Sequence, residues 1–189
     1  MAAKNKGTVG VIGLGIMGGS FAKNLAASGW RVVGYDLSAK ARKAAQRAGV
    51  EIASSAVDVA SKAPTILTSL PKPQALIDTA KALAAAKLPR KTIVEMSTFA
   101  ISDKEKAEAI LRKGGHTMLD VPVSGTGAQA AVGDLVFYAS GDKKAVAKLK
   151  SMFADFSKCN HSFEIALTRA MAPPSRRTAV GTKREGSTR

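Results

Sequence analysis

Short apolar segments alternate with longer amphipathic segments along most of the chain. Four of the short segments are rich in β-branched or aromatic residues: TVGVIG (8–13), WRVVGYD (30–36), TILTSL (65–70) and TIVEMS (92–97). Such segments, bounded by turn residues, predict buried β-strands. HTMLDVPV (116–123) and LVFYAS (135–140) continue the series.

Helical segments fill the intervals between these strands. They are predicted over residues 16–28, 38–48, 73–87, 102–113 and 142–157. Ser38 and Asp142 are placed as N-caps, and SDKE (Ser102 to Glu105) has the pattern of a capping box. The interval 54–63 is predicted to be only a turn. Strands that alternate with helices of this length require right-handed crossovers, so we predict an α/β fold of Rossmann type with a doubly wound, mainly parallel sheet.

The size and composition fit a soluble globular protein. The chain has 189 residues, 46% hydrophobic and 23% charged, and no apolar run approaches the ~20 residues that cross a bilayer. Cys159 is the single cysteine, so an internal disulfide is impossible and a reducing cytoplasm is the expected compartment. Neither histidine lies in a metal-ligand spacing, and no metal is expected.

The formal net charge of +15 attracts anions of any kind, including nucleotides, carboxylate substrates and nucleic acid. Nucleic-acid binding is more persuasive when basic residues are interleaved with aromatic ones. Aromatic residues make up only 5% of this chain, and no nucleic-acid-binding motif is present. A dedicated nucleic-acid partner is therefore not expected and stays the weaker alternative.

The segment GVIGLGIMGGSF (10–21) passes from a predicted strand through a glycine-rich turn into a predicted helix. Gly13, Gly15 and Gly18 form the pattern G-x-G-x-x-G in the strand–turn–helix context that dinucleotide binding requires. The first glycine permits the tight turn, the second lets a pyrophosphate approach, and the third allows close packing of helix on strand. A purely structural turn is the alternative.

Asp36 strengthens the dinucleotide interpretation. It ends the second predicted strand, 23 residues after Gly13. A carboxylate there can accept hydrogen bonds from the adenosine ribose and would repel a 2′-phosphate, so NAD is the expected cofactor. NADP stays possible because Lys40, Arg42 and Lys43 follow closely.

Four motifs in the same order resemble the β-hydroxyacid dehydrogenases, a family that includes 3-hydroxyisobutyrate dehydrogenase, tartronate semialdehyde reductase and 6-phosphogluconate dehydrogenase. The motifs are GLGIMGGSFAKNL (13–25), SLP (69–71), MST (96–98) and DVPVSGTGAQAAVGDL (120–135). The resemblance covers about residues 7–161. It implies hydride transfer between a nicotinamide and a small β-hydroxy acid, and it implies oligomers, which family members form.

The resemblance also implies roles for individual residues. Those implied to contact the cofactor are Gly13, Leu14, Gly15, Ile16, Met17, Gly18, Asp36, Leu70, Pro71 and Thr98. Ser124, Gly125 and Thr126 are implied to bind the substrate carboxylate, but Thr126 replaces the family's second glycine and leaves the identity of the acid open. No chemistry is assigned to four polar residues interpreted as capping or surface positions: Asp103, Glu105, Glu108 and His116.

The end of the chain departs from the family pattern. Residues 162–189 carry six basic residues against two acidic ones and include Pro173-Pro174, a composition typical of disordered tails. They contain no match to the family's Gly-x-x-Gly-x-x-x-Lys-x-x-x-Asn motif, whose lysine is the general acid/base, so no catalytic residue is assigned. We therefore expect a dinucleotide-binding domain over 1–161 and a basic tail over 162–189 in place of the family's helical domain. A dinucleotide-binding module without turnover is the alternative to an incomplete enzyme.

Overall fold

The computed structural model describes residues 6–156 and 163–164. The strands of this part are β1 (Thr8–Ile12), β2 (Arg31–Tyr35), β3 (Glu51–Ile52), β4 (Thr65–Thr68), β5 (Thr92–Glu95), β6 (Thr117–Asp120), β7 (Val123–Ser124), β8 (Val136–Tyr138) and β9 (Phe163–Glu164). The helices are α1 (Ile16–Ala27), α2 (Ala39–Arg47), α3 (Ala56–Lys62), α4 (Pro73–Ala85), α5 (Ile101–Lys113), α6 (Gly127–Val132) and α7 (Lys143–Phe156).

The main sheet consists of six parallel strands in the order β3-β2-β1-β4-β5-β6. The central strand β1 pairs on one side with β2 and on the other with β4, so that Val11 lies between Gly34 and Leu67. The chain runs outward from β1 to β3, returns to β4, and runs outward again to β6. This order confirms the Rossmann-type prediction, and it opens a crevice at the carboxyl ends of β1 and β4, where the direction reverses.

Helices cover both faces of the main sheet because each strand sends successive side chains to opposite sides. Leu67 and Val94 belong to a cluster that includes side chains of α1 and α7. Their neighbours Ile66 and Ile93 belong to a second cluster with α3, α4 and α5. All four side chains are at most 1% exposed, and burial of such a side chain contributes about 1.5–3 kcal/mol.

A second sheet of three strands extends the fold beyond β6. β8 pairs antiparallel with β7 and parallel with β9. Asp120 and Ser140 form an antiparallel bridge that connects the end of β6 to the segment after β8. β9 lies just beyond the predicted boundary at residue 161, and the predicted tail after Glu164 lies outside the described residues.

The elements that follow β6 pack against α1. Asn24 of α1 donates a side-chain hydrogen bond to the carbonyl oxygen of Ala130 in α6 at 3.0 Å. Phe137 of β8 lies between Phe21 of α1 and Phe153 of α7, with ring centroids 6.4 and 5.2 Å away. These contacts hold the segment after β6 over α1.

The prediction of a turn over 54–63 is wrong, because this interval contains the helix α3. Its N-cap Ser55 accepts a hydrogen bond from the backbone N–H of Asp58 at 3.0 Å. Val59 and Ala60 are fully buried against the main sheet. A helix of 7 residues is too short to show a clear helical period in the sequence, and tertiary packing stabilises it.

The capping box predicted at Ser102 is also wrong. α5 begins at Ile101, its N-cap is Ala100, and no side chain caps it, so Ser102 lies inside the first turn. Among the described residues, Thr126 and Gln129 form a capping box at the start of α6. The sequence does not predict this helix because its short, small-residue segment GAQAAV resembles a loop.

The sequence predicts a capping or surface position for His116, but in the structure this residue is buried, at 5% exposure. Its Nδ1 accepts a hydrogen bond from the backbone N–H of Lys91 at 3.2 Å, and its Nε2 lies 3.3 Å from the carbonyl oxygen of Leu83. This arrangement fits a neutral ring that carries its proton on Nε2. His116, which stands just before β6, therefore connects the last turn of α4 to the start of β5.

Gly114 follows α5 where this helix packs against α4. A Cβ at this position would lie 2.6 Å from the Cα and 2.8 Å from the Cβ of Ala84. We expect Gly114→Ala to lower the free energy of unfolding by about 1–3 kcal/mol, because the backbone must move to relieve the overlap. The exposed neighbour offers a control, Lys113→Ala, expected to change it by less than about 0.5 kcal/mol. Denaturant unfolding measures both, and an unchanged Gly114→Ala variant would contradict this close contact.

Candidate functional site

The loop between β1 and α1 lies unusually close to its neighbours. Gly13 has a φ of +91°, and a Cβ there would lie 2.1 Å from the carbonyl oxygen of Ser69. A Cβ at Gly18 would lie 1.9 Å from the carbonyl oxygen of Gly13. Glycine at both positions therefore allows α1 to begin directly against the ends of β1 and β4.

Gly15 differs from these two glycines because no contact within the protein requires it. It is the exposed N-cap of α1, and a Cβ there would meet no atom within 4 Å. The backbone N–H groups of the first helical turn, which begins at Ile16, point out of the helix without intrahelical acceptors. An anion against this turn would accept hydrogen bonds from them and would be stabilised by the helix dipole. The space next to Gly15 thus fits a pyrophosphate.

Asp36 lies beside this loop, immediately after β2. Its Oδ2 accepts a hydrogen bond from the backbone N–H of Leu14 at 2.7 Å, and its Oδ1 accepts one from Ser38 at 2.7 Å. Arg42 donates from Nη1 to the carbonyl oxygens of Asp36 and Leu37, at 2.6 and 2.9 Å. These contacts fix a half-buried carboxylate next to the glycine loop, where ribose hydroxyls can donate to its remaining lone pairs.

A cleft of about 360 Å³ opens at the carboxyl ends of β4 and β5. Five residues with a predicted role line it: Met17, Leu70, Pro71, Thr98 and Gly125. Six others also line it without an assigned role: Phe21, Ser69, Met96, Ser97, Phe99 and Val123. Ser69, Met96 and Ser97 belong to the SLP and MST motifs, which could have identified them. The sequence does not distinguish the other three, Phe21, Phe99 and Val123, from apolar residues of the core.

The two loops of the cleft are hydrogen-bonded to each other. Ser97 accepts, at its Oγ, a hydrogen bond from the backbone N–H of Leu70 at 2.9 Å. The backbone N–H of Ser97 donates to Oε1 of Glu95 at 2.8 Å. The loop after β4 is therefore positioned by the loop after β5.

Three ionisable side chains are buried under this cleft. Lys104 of α5 is 4% exposed, and its Nζ lies 2.5 Å from Oδ1 of Asp120 at the end of β6. Glu95 is fully buried, and its Oε2 is hydrogen-bonded to the hydroxyl of Thr68. Burial raises the pKa of Glu95, against the smaller opposing effects of its hydrogen bonds and of Lys104. None of the sequence patterns brought these residues together.

The segment predicted to bind a substrate carboxylate follows β6. Ser124 and Gly125 are exposed. Gly125 has a φ of +145°, and a Cβ at this position would lie 2.4 Å from the side chain of Leu135. Thr126 uses its polar groups within the α6 cap, since its Oγ1 accepts from the Gln129 N–H at 3.3 Å and its own N–H donates to the Gln129 side chain at 2.9 Å. Thr126 therefore shapes the segment through the helix cap.

The remaining predicted positions lie apart from the cleft lining. The side chain of Leu14 is 4% exposed and packs in the core, whereas that of Ile16 is 78% exposed at the start of α1. Of the residues given no chemistry, Asp103 pairs with Lys106 and Glu108 pairs with Arg112, and Glu105 is exposed. Within residues 6–156 and 163–164, no group of three or more His, Cys, Asp or Glu side chains could hold a metal ion.

The glycine loop, the carboxylate after β2 and the cleft at the reversal of strand order define a Rossmann-type dinucleotide-binding domain. Residues 8–165 match the family described as the NAD binding domain of 6-phosphogluconate dehydrogenase. The chain belongs to this family and corresponds to the N-terminal, NAD-binding half of the β-hydroxyacid dehydrogenases. The predicted resemblance and the predicted cofactor NAD are thereby confirmed.

Individual relatives agree with this assignment. The chain is 36% identical over 148 residues to the NAD-dependent L-serine dehydrogenase of Pseudomonas aeruginosa, covering 77% of this chain and 50% of the relative. It is 34% identical over 140 residues to the mitochondrial 3-hydroxyisobutyrate dehydrogenase of Homo sapiens, covering 72% and 42%. The structure of Mycobacterium tuberculosis 3-hydroxyisobutyrate dehydrogenase with L-serine matches with a TM-score of 0.76 at 28% identity, covering 79% and 52%.

The match extends over only part of these proteins. The chain spans about half the length of the curated relatives it matches. The fold is shared with an imine reductase from a Pseudomonas species, at a TM-score of 0.79 and 21% identity. That match covers 90% of this chain and 59% of the imine reductase. No helix in the described part of the chain is both long and apolar enough to cross a membrane.

The different surroundings of Gly15 and Gly18 predict different effects of the same substitution. Gly15→Ala adds a methyl group to open space at an N-cap, where glycine is preferred to alanine. We therefore expect a loss of stability below about 1 kcal/mol but clearly weaker NAD binding, because the methyl group lies where the pyrophosphate would approach the backbone. Gly18→Ala drives a methyl group into the Gly13 carbonyl, so we expect a loss of about 1–3 kcal/mol of stability. Thermal unfolding and calorimetric NAD titration measure the two effects. A Gly15→Ala variant that binds NAD normally would contradict the pyrophosphate position.

Proposed function

We propose that this chain provides the cofactor domain of an NAD-dependent dehydrogenase that acts on a small β-hydroxy acid. The observation that carries the proposal is the continuous path from Asp36, past the first turn of α1, to the cleft between the loops after β4 and β5. A dinucleotide laid along this path would place its ribose at Asp36, its pyrophosphate at Gly15 and its nicotinamide in the cleft. When bound, the cofactor would supply the hydride acceptor, and the chain would supply orientation and shelter from water.

The hydrogen bonds of Asp36 support a preference for NAD over NADP. Its carboxylate is held in place by the N–H groups of Leu14 and Ser38, so a 2′-phosphate would meet a fixed negative charge. Arg42 is engaged with backbone carbonyl groups. Lys40 and Lys43 are exposed and leave NADP as the secondary cofactor.

Ser124 and Gly125 support a small carboxylate as the substrate. They are exposed where the chain leaves β6, and Gly125 lines the cleft. Backbone N–H groups in a segment of small residues can surround a carboxylate. The formal net charge of +15 attracts such anions, and the single cysteine supports a reducing compartment such as the cytoplasm.

One observation favours a second function for the chain by itself, namely cofactor binding without turnover. The described residues that line the cleft include hydroxyl groups but no Lys, His, Asp or Glu side chain. General acid/base catalysis at a substrate hydroxyl needs a titratable group within hydrogen-bonding reach, and its contribution is about 10²–10⁴-fold. Residues 162–189 offer no match to the family's lysine motif.

Substitution of Asp36 tests the cofactor assignment. Hydrogen bonds to a charged group contribute about 1.5–3 kcal/mol, so Asp36→Ala should weaken NAD binding about ten- to a hundredfold. NADP should lose less, because the repulsion of its phosphate is removed. Asp142→Ala is the matched control, since Asp142 also accepts a backbone N–H, from Ala145 at 2.8 Å, but does not line the cleft. Calorimetric titration gives the affinities, and an Asp36→Ala variant with both affinities unchanged would refute the assignment.

Turnover by the 189-residue chain distinguishes the two functions. With saturating NAD and a panel of 3-hydroxy acids, we expect negligible formation of reduced nicotinamide, measured by its absorbance, because none of the described residues that line the cleft is a general base. A rate near the ~10 s⁻¹ that is common among enzymes would show that a residue of this chain acts as the base. Binding of NAD without turnover is the expected result.

A further inference from the structure

We propose that Glu95 is a positioning residue for the nicotinamide end of the cofactor: through Ser97 it fixes both loops that line the cleft. This inference rests on the proposed binding of a dinucleotide in the cleft. Glu95 itself does not line the cleft, so it would act on the ligand only through its neighbours.

Glu95 connects two strand ends at the floor of the cleft. It is the last residue of β5, and its register partner Thr68 is the last residue of β4. Its side chain is fully buried; Oε1 accepts the N–H of Ser97 at 2.8 Å, and Oε2 is hydrogen-bonded to the hydroxyl of Thr68. The carboxyl group thus determines where the chain turns after both strands.

Ser97 passes this constraint to the second loop. Its Oγ accepts the N–H of Leu70 at 2.9 Å, and both residues line the cleft. A hydroxyl that accepts in this way still has its own proton to donate. Displacement of Ser97 would therefore move one wall of the cleft and release the backbone N–H that orients the other wall.

The charges around Glu95 favour an uncharged carboxyl group. Lys104 acts electrostatically on Glu95, but its Nζ lies 2.5 Å from Oδ1 of Asp120, so the charge of Lys104 is already neutralised by that of Asp120. To a charged Glu95, the Thr68 hydroxyl donates at Oε2. With an uncharged Glu95 the direction reverses: Oε2 donates to the Thr68 oxygen, and the Thr68 hydroxyl donates to the carbonyl oxygen of Val94 at 3.4 Å. Every polar atom of the group is then satisfied, which a buried carboxyl group requires.

This scheme distinguishes two substitutions at the same position. A glutamine can accept the Ser97 N–H with its oxygen and donate to Thr68 with its nitrogen, as the neutral acid does. An alanine leaves the Ser97 N–H without its acceptor and removes one of the two partners of the Thr68 hydroxyl. Glu95→Gln should therefore restore what Glu95→Ala removes.

The test compares two ligands that differ in the nicotinamide. The full chain is titrated with NADH, which has a nicotinamide, and with ADP-ribose, which lacks one. For Glu95→Ala we expect the preference for NADH over ADP-ribose to fall by about fivefold or more, because the Ser97 N–H loses its acceptor and the loops that would contact the nicotinamide are no longer held in one position. ADP-ribose affinity should stay within about twofold, and Glu95→Gln should return the preference to the wild-type value.

A matched control separates positioning from general loss of stability. His116→Ala also removes a buried polar side chain with two backbone partners, Lys91 and Leu83. His116 lies just before the start of β6, however, whereas the cleft opens at the other edge of the sheet, where β4 and β5 end. It should lower the melting temperature without changing the preference between the ligands. Ser97→Ala provides a second measurement, and its effect on the preference should be smaller in the Glu95→Ala background than in wild type, because the two residues act in series.

The outcomes separate this inference from the proposed function. If wild type binds neither ligand, the proposed function fails. If wild type binds both and neither Glu95→Ala nor Ser97→Ala changes the preference, the positioning role is overturned. A Glu95→Gln variant as impaired as Glu95→Ala would contradict the hydrogen-bonding scheme and with it the proposal. If Glu95→Ala does not fold, the Ser97→Ala and Glu95→Gln measurements decide.

Discussion

The close approach of α1 to the carboxyl end of β1 is the constraint on which the site depends. A methyl group at Gly18 would overlap the Gly13 carbonyl, so the helix can begin here only with no side chain at the contact. This approach aims the positive end of the helix dipole at the crevice where the strand order reverses. It also brings the N–H of Leu14 to the Asp36 carboxylate. The absence of a side chain at this one contact therefore positions both the exposed first turn of α1 and the carboxylate of Asp36.

The other end of the crevice is built by a different physical means. Instead of missing side chains, it uses a buried polar group that satisfies the backbone of its neighbours: Glu95 with Thr68 and Ser97. Such a group costs free energy when it is desolvated, and full hydrogen bonding offsets that cost only in one geometry. Next to it, the Lys104–Asp120 pair connects α5 to the end of β6. This end of the crevice is consequently shaped by polar contacts that tolerate little displacement.

The sequence was sufficient for the fold class because strands buried on both faces are continuous apolar segments, and the helices between them are long. It was sufficient for the glycine loop and Asp36 because each depends on nearby residues in one crossover. It was insufficient for α3 and α6, which are short and stabilised by packing, and for the second sheet, whose strands β7 and β9 have two residues each and are too short to show a strand period. Glu95 and Lys104 each resemble ordinary polar positions at a strand end and on a helix, and only tertiary structure brings them under one cleft.

The hydrogen bonds at the two ends of the crevice, around Asp36 and around Glu95, also affect which substitutions such a domain tolerates in evolution or in the laboratory. Among the described residues, the carboxylate of Asp36 is bonded to Leu14 and Ser38, and the carboxyl group of Glu95 to Thr68 and Ser97, so they share no partner. Substitutions at independent sites tend to have additive effects. In the proposed binding mode, a lineage, or an engineer, could thus exchange one dinucleotide for its phosphorylated form by altering the loop after β2 alone, while the geometry of the loops after β4 and β5 is inherited intact.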